Sequence, residues 1–246
     1  MRNPDRWRPS KYLQRGRRLV ASHDASEVGI GSRLTAGAVA ACYADALPRY
    51  ARGRLGDLGC GKVPLYGAYR GLVSETVCVD WANSPHASLH LDAEVDLGAR
   101  LPFEDARFDT IILSDVLEHL PEPLLLWREM ARLLAPGGHA LINVPFLYGL
   151  HELPHDYYRY TEFALRRHAQ LAGLELSELK TVGGSLHVLA DIVAKQLAYL
   201  PLLGRPLAIG LQALVSALDR TRPGRVWAAR SGERWPLGYF LVVRRP

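Results

Sequence analysis

Cysteine is scarce in this chain of 246 residues: Cys42, Cys60 and Cys78 form an odd set without paired spacing. Neither a disulfide framework nor a Cys-type zinc site is indicated, and a reducing, cytoplasmic setting is the default expectation. Long hydrophobic runs are missing as well. The most apolar region, Leu186 to Leu218, is interrupted by Asp191, Lys195 and Arg205, and its charge-free pieces fall short of the roughly 18 residues that a membrane span needs. The basic start, Met1 to Arg8, is not followed by an apolar stretch suited to a signal peptide, which argues against secretion. Charge of one sign is not in strong excess, the formal net charge being +5. No basic stretch interleaved with stacking aromatics occurs, so nucleic acid is not an expected partner.

What is present is enough apolar material, 48% of the residues, to build one α/β domain with appendages rather than two full domains. The basic excess gathers at the two ends, in Arg2, Arg6, Arg8, Lys11, Arg15, Arg17 and Arg18, then in Arg220, Arg222, Arg225, Arg230, Arg234, Arg244 and Arg245. Such clusters meet phosphates or anionic lipid, or they form a solvated basic surface. Both readings stay open.

Along the chain the pattern alternates. Thr35 to Tyr50 carries Ala, Val and Leu at helical spacing. Strands are expected at Arg54 to Gly59, Glu75 to Asp80 and Phe108 to Ser114, each ending in a glycine or a polar residue. Pro121 to Leu134 presents an apolar helical face through Leu124, Leu125, Trp127, Met130 and Leu134. A strand from His139 to Pro145, a helix from Thr161 to Ala172 and a strand from Leu174 to Val182 follow. Two apolar helices, Leu186 to Leu200 and Pro206 to Leu218, precede a last strand from Leu237 to Arg244. Strand and helix in alternation imply a parallel sheet with helices on both faces.

Leu55 to Gly61 places small residues where the first strand turns toward a helix, and there glycine lets a backbone approach a ligand. The spacing is not that of a dinucleotide turn, because Pro64 stands where a third glycine would be. Asp57 precedes the turn and can accept from the amino group of an amino-acid-like ligand. Asp80 closes the second strand, 19 residues beyond Gly61, where a carboxylate can accept from both ribose hydroxyls.

Five segments, Asp57 to Gly61, Val79-Asp80, Leu101 to Asp109, Asp115 to Leu120 and Leu134 to Gly138, occur in an order that resembles the class I S-adenosylmethionine-dependent methyltransferases, especially their small-molecule branch. The resemblance covers residues 54 to about 145. It implies a Rossmann-like, doubly wound, mostly parallel seven-stranded sheet with the last strand antiparallel, an N-terminal helical segment and a helical insertion before the last strand. The corresponding division is a basic tail or lid (1–32), a core (33–184), an apolar helical insertion (185–234) and a final strand (235–246). It further implies that Asp57, Gly59, Cys60 and Gly61 line the methionine end of S-adenosylmethionine, that Asp80 holds the ribose, and that Trp81, Asp96 and Leu97 lie by the adenine. Ser114 and Asp115 would sit beside the bound cofactor. Val63 departs from the pattern, since many members carry a third glycine there.

His151 to His155 reads His-Glu-Leu-Pro-His, the letter pattern of a zinc hydrolase. That chemistry needs both histidines on one face of a continuous helix, and Pro154 sits between them. A zinc hydrolase is therefore a distant alternative, a non-catalytic cofactor-binding protein a second one, and no metal is expected. The stretch from His151 to Thr161 is similar to a loop of a subset of class I methyltransferases, often ones associated with glycan or secondary-metabolite pathways. On that resemblance His151, His155 and Tyr158 face the acceptor, while Asp156, Arg159 and Thr161 hold the loop. Imidazole suits removal of an acceptor proton, which makes His155 the first candidate base, with His151 and His119 behind it. The acceptor is expected to be a small molecule, a glycan or a lipid-linked compound. The apolar insertion is open to peripheral membrane contact, a homodimer face or plain packing.

Overall fold

The aliphatic runs bounded by glycine, aspartate and proline become the strands of one seven-stranded sheet. A computed structural model describes residues 1–16, 18–84, 86 and 88–246; Arg17 of the basic N-terminal set lies outside the described residues. The chain opens with a hairpin, β1 (Tyr12–Arg15) and β2 (Arg18–Ala21), and continues into helix α1 (Arg33–Tyr50). Then come β3 (Arg54–Leu58), the single-turn helix α2 (Tyr66–Tyr69), β4 (Glu75–Asp80), β5 (Ala93–Glu94), β6 (Phe108–Ser114), α3 (Pro123–Leu133) and β7 (Leu134–Pro145). The second half contributes α4 (Glu162–Leu171), β8 (Glu175–Val182), α5 (Ser185–Leu197), α6 (Gly204–Asp219), α7 (Arg222–Gly232) and β9 (Gly238–Arg244).

The spatial order is β5-β4-β3-β6-β7-β9-β8. Strands β5 to β7 are parallel, and β9 inserts antiparallel between β7 and β8. This is the doubly wound sheet with an antiparallel last strand that the resemblance implies.

Period-two alternation divides the core into two layers. Ile111 and Leu113 of β6, with Tyr239, Leu241 and Val243 of β9, face Leu126, Trp127 and Met130 of α3 and Leu165 of α4. Ile112 of β6, with Phe240 and Val242 of β9, faces Val39, Tyr43 and Leu47 of α1. Thr161 caps α4, its hydroxyl accepting from the Ala164 N–H at 3.3 Å, and Glu162 places a carboxylate in the first turn.

Several elements differ from the sequence expectation, among them the short β5 and α2, which it did not place. Strand β7 begins at Leu134 rather than His139: its pairing with β6 runs Phe108 with Leu134, then jumps to Thr110 with His139. Gly137, at φ +75°, absorbs the irregularity. The polar start of the chain forms the β1–β2 hairpin, which buries Tyr12, Leu19 and Ala21 beside α1. A further helix, α7, fills the arginine-rich stretch before the last strand.

Helices α5 and α6 dock on the N-terminal end of α1 through a small core of Leu34, Ala190 and Val215. Polar bonds fix the joint: Thr35 Oγ1 donates to Asp191 Oδ1 at 2.8 Å, and Gln212 Oε1 accepts from the Leu34 N–H at 2.9 Å. The α3 layer supports β6 and β7, which carry the candidate site. Leu126 is wholly buried there, so Leu126→Ala should destabilise the domain by about 2 to 5 kcal/mol in denaturant unfolding.

Candidate active site

Parallel strands deliver their carboxyl ends to one edge of the sheet, and that edge is where polar residues gather. After β3 the chain turns through Gly59 at φ +70° and Gly61 at φ +50°. The amides of Gly59 and Cys60 both donate to the Val79 carbonyl, at 2.8 and 3.1 Å, which ties the turn to β4. A side chain at Gly59 would stand 2.5 Å from Val116 Cγ2, so only glycine fits. The Cys60 thiol points into the apolar core rather than the crevice, leaving only its backbone for the turn. Val63 takes φ +53° while fully buried. A β-branched residue thus adopts the left-handed conformation that a third glycine would give without strain.

Asp80 is buried at the end of β4. Its Oδ2 accepts from the Gly61 N–H at 2.9 Å and from Ser84 Oγ at 3.1 Å, and Oδ1 accepts from the Trp81 N–H at 2.8 Å. Asp57 lies in β3 with Oδ2 accepting from the Tyr69 hydroxyl at 2.9 Å. Burial pushes its carboxyl up to about 7, with the nearby Asp80 adding to the shift and the Tyr69 bond opposing it. Leu97 is buried beside Gly59, whereas Asp96 is exposed and accepts from the Gly98 N–H within its own turn.

At the end of β6, Ser114 is half-buried and Asp115 takes φ +56°. Asp115 Oδ1 accepts from Asn143 Nδ2, and Oδ2 pairs with Lys11 Nζ at 2.9 Å. Lys11 leads into the β1–β2 hairpin, so the N-terminal region reaches over the site. Asp115, Asn143, Lys11, Glu27, Tyr148 and His151 are among the walls of a cavity of about 280 Å³. A larger, shallow groove of about 810 Å³ lies elsewhere, on α7; the strand-end geometry, not the volume, marks the smaller cavity as the candidate site.

The segment after β7 is fastened to the turn Leu117–His119. The amides of Tyr157 and Tyr158 donate to the Glu118 carbonyl at 2.8 and 3.3 Å, and the Tyr160 hydroxyl donates to the Leu117 carbonyl at 2.8 Å. Asp156 is clasped by the Arg159 guanidinium at 2.6 and 2.8 Å, which holds its carboxyl down at about 2. The zinc-hydrolase pattern is not formed, because residues 151–155 contain no helix. His151 turns instead toward Glu118, with Nε2 3.7 Å from Oε1, and His119 Nε2 approaches the same oxygen at 3.8 Å.

Burial raises the Glu118 carboxyl above its usual range, partly offset by His151. Burial works to lower His151, but the carboxylates of Glu118 and Asp156 outweigh it and the ring titrates above the ordinary imidazole value.

Two of the residues expected to face the acceptor are placed away from the cavity walls. His155 does not line the cavity; its exposed ring meets Trp81 edge-on at 5.1 Å, and Nδ1 lies 3.4 Å from the Tyr157 hydroxyl. The ring packs against the aromatic surface of Trp81. Tyr158 donates its hydroxyl to the Pro121 carbonyl at 2.8 Å and so anchors the loop instead of facing an acceptor. Sequence reasoning missed Lys11, Tyr69 and Asn143. Asn143 was signalled by a polar residue at the carboxyl end of an otherwise apolar strand; nothing marked Lys11 among its basic neighbours.

Residues 56–142 match the family described as methyltransferase domain. The ubiquinone biosynthesis O-methyltransferase of Xanthomonas campestris pv. campestris (strain B100) is 34% identical over 103 residues, which are 37% of this chain and 42% of that protein. An uncharacterized methyltransferase of Mycolicibacterium paratuberculosis is 32% identical over 139 residues, 54% of this chain and 49% of that protein. The chain therefore spans less than half the length of these curated relatives. Among solved structures, an S-adenosylmethionine dependent methyltransferase from Mesorhizobium loti shares the fold at a TM-score of 0.51 and 18% identity, over 85% of this chain and 100% of that one.

Proposed function

We propose that the chain, whose residues 56–142 match the methyltransferase domain family, is a class I S-adenosylmethionine-dependent methyltransferase and that it methylates a small-molecule, glycan-like or lipid-linked acceptor in the cavity beside Asp115 and His151. One observation carries the reading. The glycine turn after β3, the buried Asp57 and the strand-end Asp80 converge at one edge of the sheet, and on the same edge Asp115, at the end of the neighbouring β6, is a wall of the cavity. The residues suit the cofactor: Gly59 and Gly61 expose backbone, Asp80 would accept from ribose hydroxyls, and Asp57 would face the ammonium of the methionine end. Trp81 and Leu97 would flank the adenine.

The sulfonium supplies a methyl group already activated for displacement. What the chain provides is alignment and exclusion of water. The β1–β2 region covers the site through Lys11, and the zipped loop closes the acceptor side. A cavity furnished with polar side chains favours catalysis over cofactor binding alone.

The acceptor class draws support from the insertion. Helices α5 to α7 leave Leu189, Tyr199, Leu202, Leu214 and Trp227 exposed, and no described helix is long and apolar enough to cross a membrane. The shallow groove on α7 sets Trp227 and Trp235 among Arg222, Arg230 and Arg234. Tryptophan beside arginine suits the interface of an anionic bilayer. The insertion is thus read as a surface that rests on lipid and brings a lipid-linked acceptor to the cavity.

Asp80→Ala should abolish measurable S-adenosylmethionine binding by calorimetry while the unfolding midpoint stays near that of the unsubstituted chain; retained affinity would remove the ribose assignment. Asp57 gives a pH dependence. Its carboxyl must be ionised to meet a ligand ammonium, and in the unliganded chain it ionises near 7. Binding therefore costs a proton below that pH, and the part of the affinity owed to Asp57 should fall about tenfold from pH 8 to pH 6. Asp57→Asn should bind more weakly and without that slope.

Vesicles containing phosphatidylglycerol should co-sediment the chain, and phosphatidylcholine vesicles should not. Trp227→Ala with Trp235→Ala should release it. A dimer by light scattering that survives in the absence of vesicles and is broken by the same double substitution would assign the face to a second copy instead.

A further inference from the structure

Glu118 is a carboxylate with neither side-chain oxygen hydrogen-bonded, at 0% exposure. His119 Nε2 is likewise buried and without a partner. His119 and His151 both aim Nε2 at Glu118 Oε1, at 3.8 and 3.7 Å, and their rings cross edge-on at 4.8 Å. Those separations are too long for a hydrogen bond. Two donor atoms bound at about 2.1 Å to a common ion with tetrahedral to trigonal angles stand about 3.4 to 3.6 Å apart.

The far nitrogens decide the tautomers. His119 Nδ1 faces the His155 carbonyl, and His151 Nδ1 lies 3.3 Å from the Gly149 carbonyl and 3.4 Å from Asp156 Oδ2. Each Nδ1 carries its proton toward an acceptor, so each Nε2 presents a lone pair toward Glu118. A ring held by carboxylate or carbonyl on one nitrogen and free on the other is the arrangement of metal-binding histidines.

We propose that Glu118, His119 and His151 bind one divalent transition-metal ion, of the zinc, iron(II) or manganese class that accepts imidazole with carboxylate. The three donor atoms lie within 4.8 Å of one another. Three protein ligands would leave a position open, and His151 is shared between this cluster and the cavity walls, which also include Glu152 and Asp115. Glu152 Oε2 lies 4.0 Å from His119 Nε2.

The ion's role in the reaction rests on the methyl-transfer reading, whereas its binding does not. Coordinated there, an acceptor hydroxyl is a stronger acid and its oxygen is the atom that is methylated. The hydroxyl proton leaves to solvent through the cavity, and the freed electron pair forms the oxygen–carbon bond. The carbon–sulfur bond breaks with its electron pair retained by sulfur, which becomes a neutral thioether. The site therefore selects an oxygen acceptor rather than an amine or carbon.

The test uses the full chain, stripped with a chelator, dialysed, and titrated with zinc by calorimetry and with cobalt(II) by visible absorption. About one ion per chain is expected, with nitrogen–oxygen type ligand-field bands for cobalt. His151→Ala and the isosteric Glu118→Gln should each weaken binding by about a hundredfold or more. His155→Ala, which would destroy a His-Glu-x-x-His site, should leave it unchanged. Absence of saturable zinc and cobalt binding, or binding undisturbed in both His151→Ala and Glu118→Gln, overturns the site. Metal binding without affinity for S-adenosylmethionine would leave the site standing and remove the methyl-transfer reading; affinity for S-adenosylmethionine without metal binding does the reverse.

Discussion

The loop that walls the candidate site depends on one backbone carbonyl. Glu118 C=O accepts from both Tyr157 and Tyr158, and this clamp sets the loop after β7 against the turn after β6. Without it, His151 and Glu118, 33 residues apart in sequence, would have no reason to meet. The clamp is reinforced by tyrosine hydroxyls on the Leu117 and Pro121 carbonyls and by the Asp156–Arg159 pair. Five polar contacts of this kind in one short loop convert an irregular segment into a rigid wall, which is what a site on a loop requires.

The same clamp has an electrostatic consequence. It drives the Glu118 side chain into the interior, where a carboxylate without hydrogen bonds is costly. A buried ion of this kind persists where something compensates it. The imidazoles of His119 and His151 stand at the right side of it but too far to donate. What the local structure leaves open is hydrogen bonding to the two Glu118 oxygens, which a cation between the three groups would satisfy.

Much of the frame could be read from the chain. Hydrophobic periodicity located β3, β4, β6 and α3 within a few residues, and the glycines and acids at strand ends marked one edge of the sheet because parallel strands place their carboxyl termini together. Pro154 correctly argued against a helix through His151 to His155. What could not be read was contact between distant segments. The capture of His155 by Trp81, the bond from Tyr158 to Pro121, and the convergence of His119 with His151 are all tertiary events with no local signature. Helix α7 was missed because its arginines mask an apolar face that is itself largely exposed.

The N-terminal region shows why composition alone misleads. Its basic, glycine-punctuated sequence suits a solvated tail, yet Tyr12 is buried, Trp7 donates its indole N–H to the Val63 carbonyl at 3.0 Å, and Lys11 pairs with Asp115. Each contact falls on the glycine turn or on the end of β6. The strained Val63 is held in place by a residue 56 positions earlier. A segment that braces the turn from outside and supplies a cation to the cavity is a structural part of the site, and its positive charge has a local partner in Asp115. Burial raises the Glu118 carboxyl and the nearby Asp115 adds to that shift, which ties the N-terminal strap and the buried carboxyl into one electrostatic arrangement.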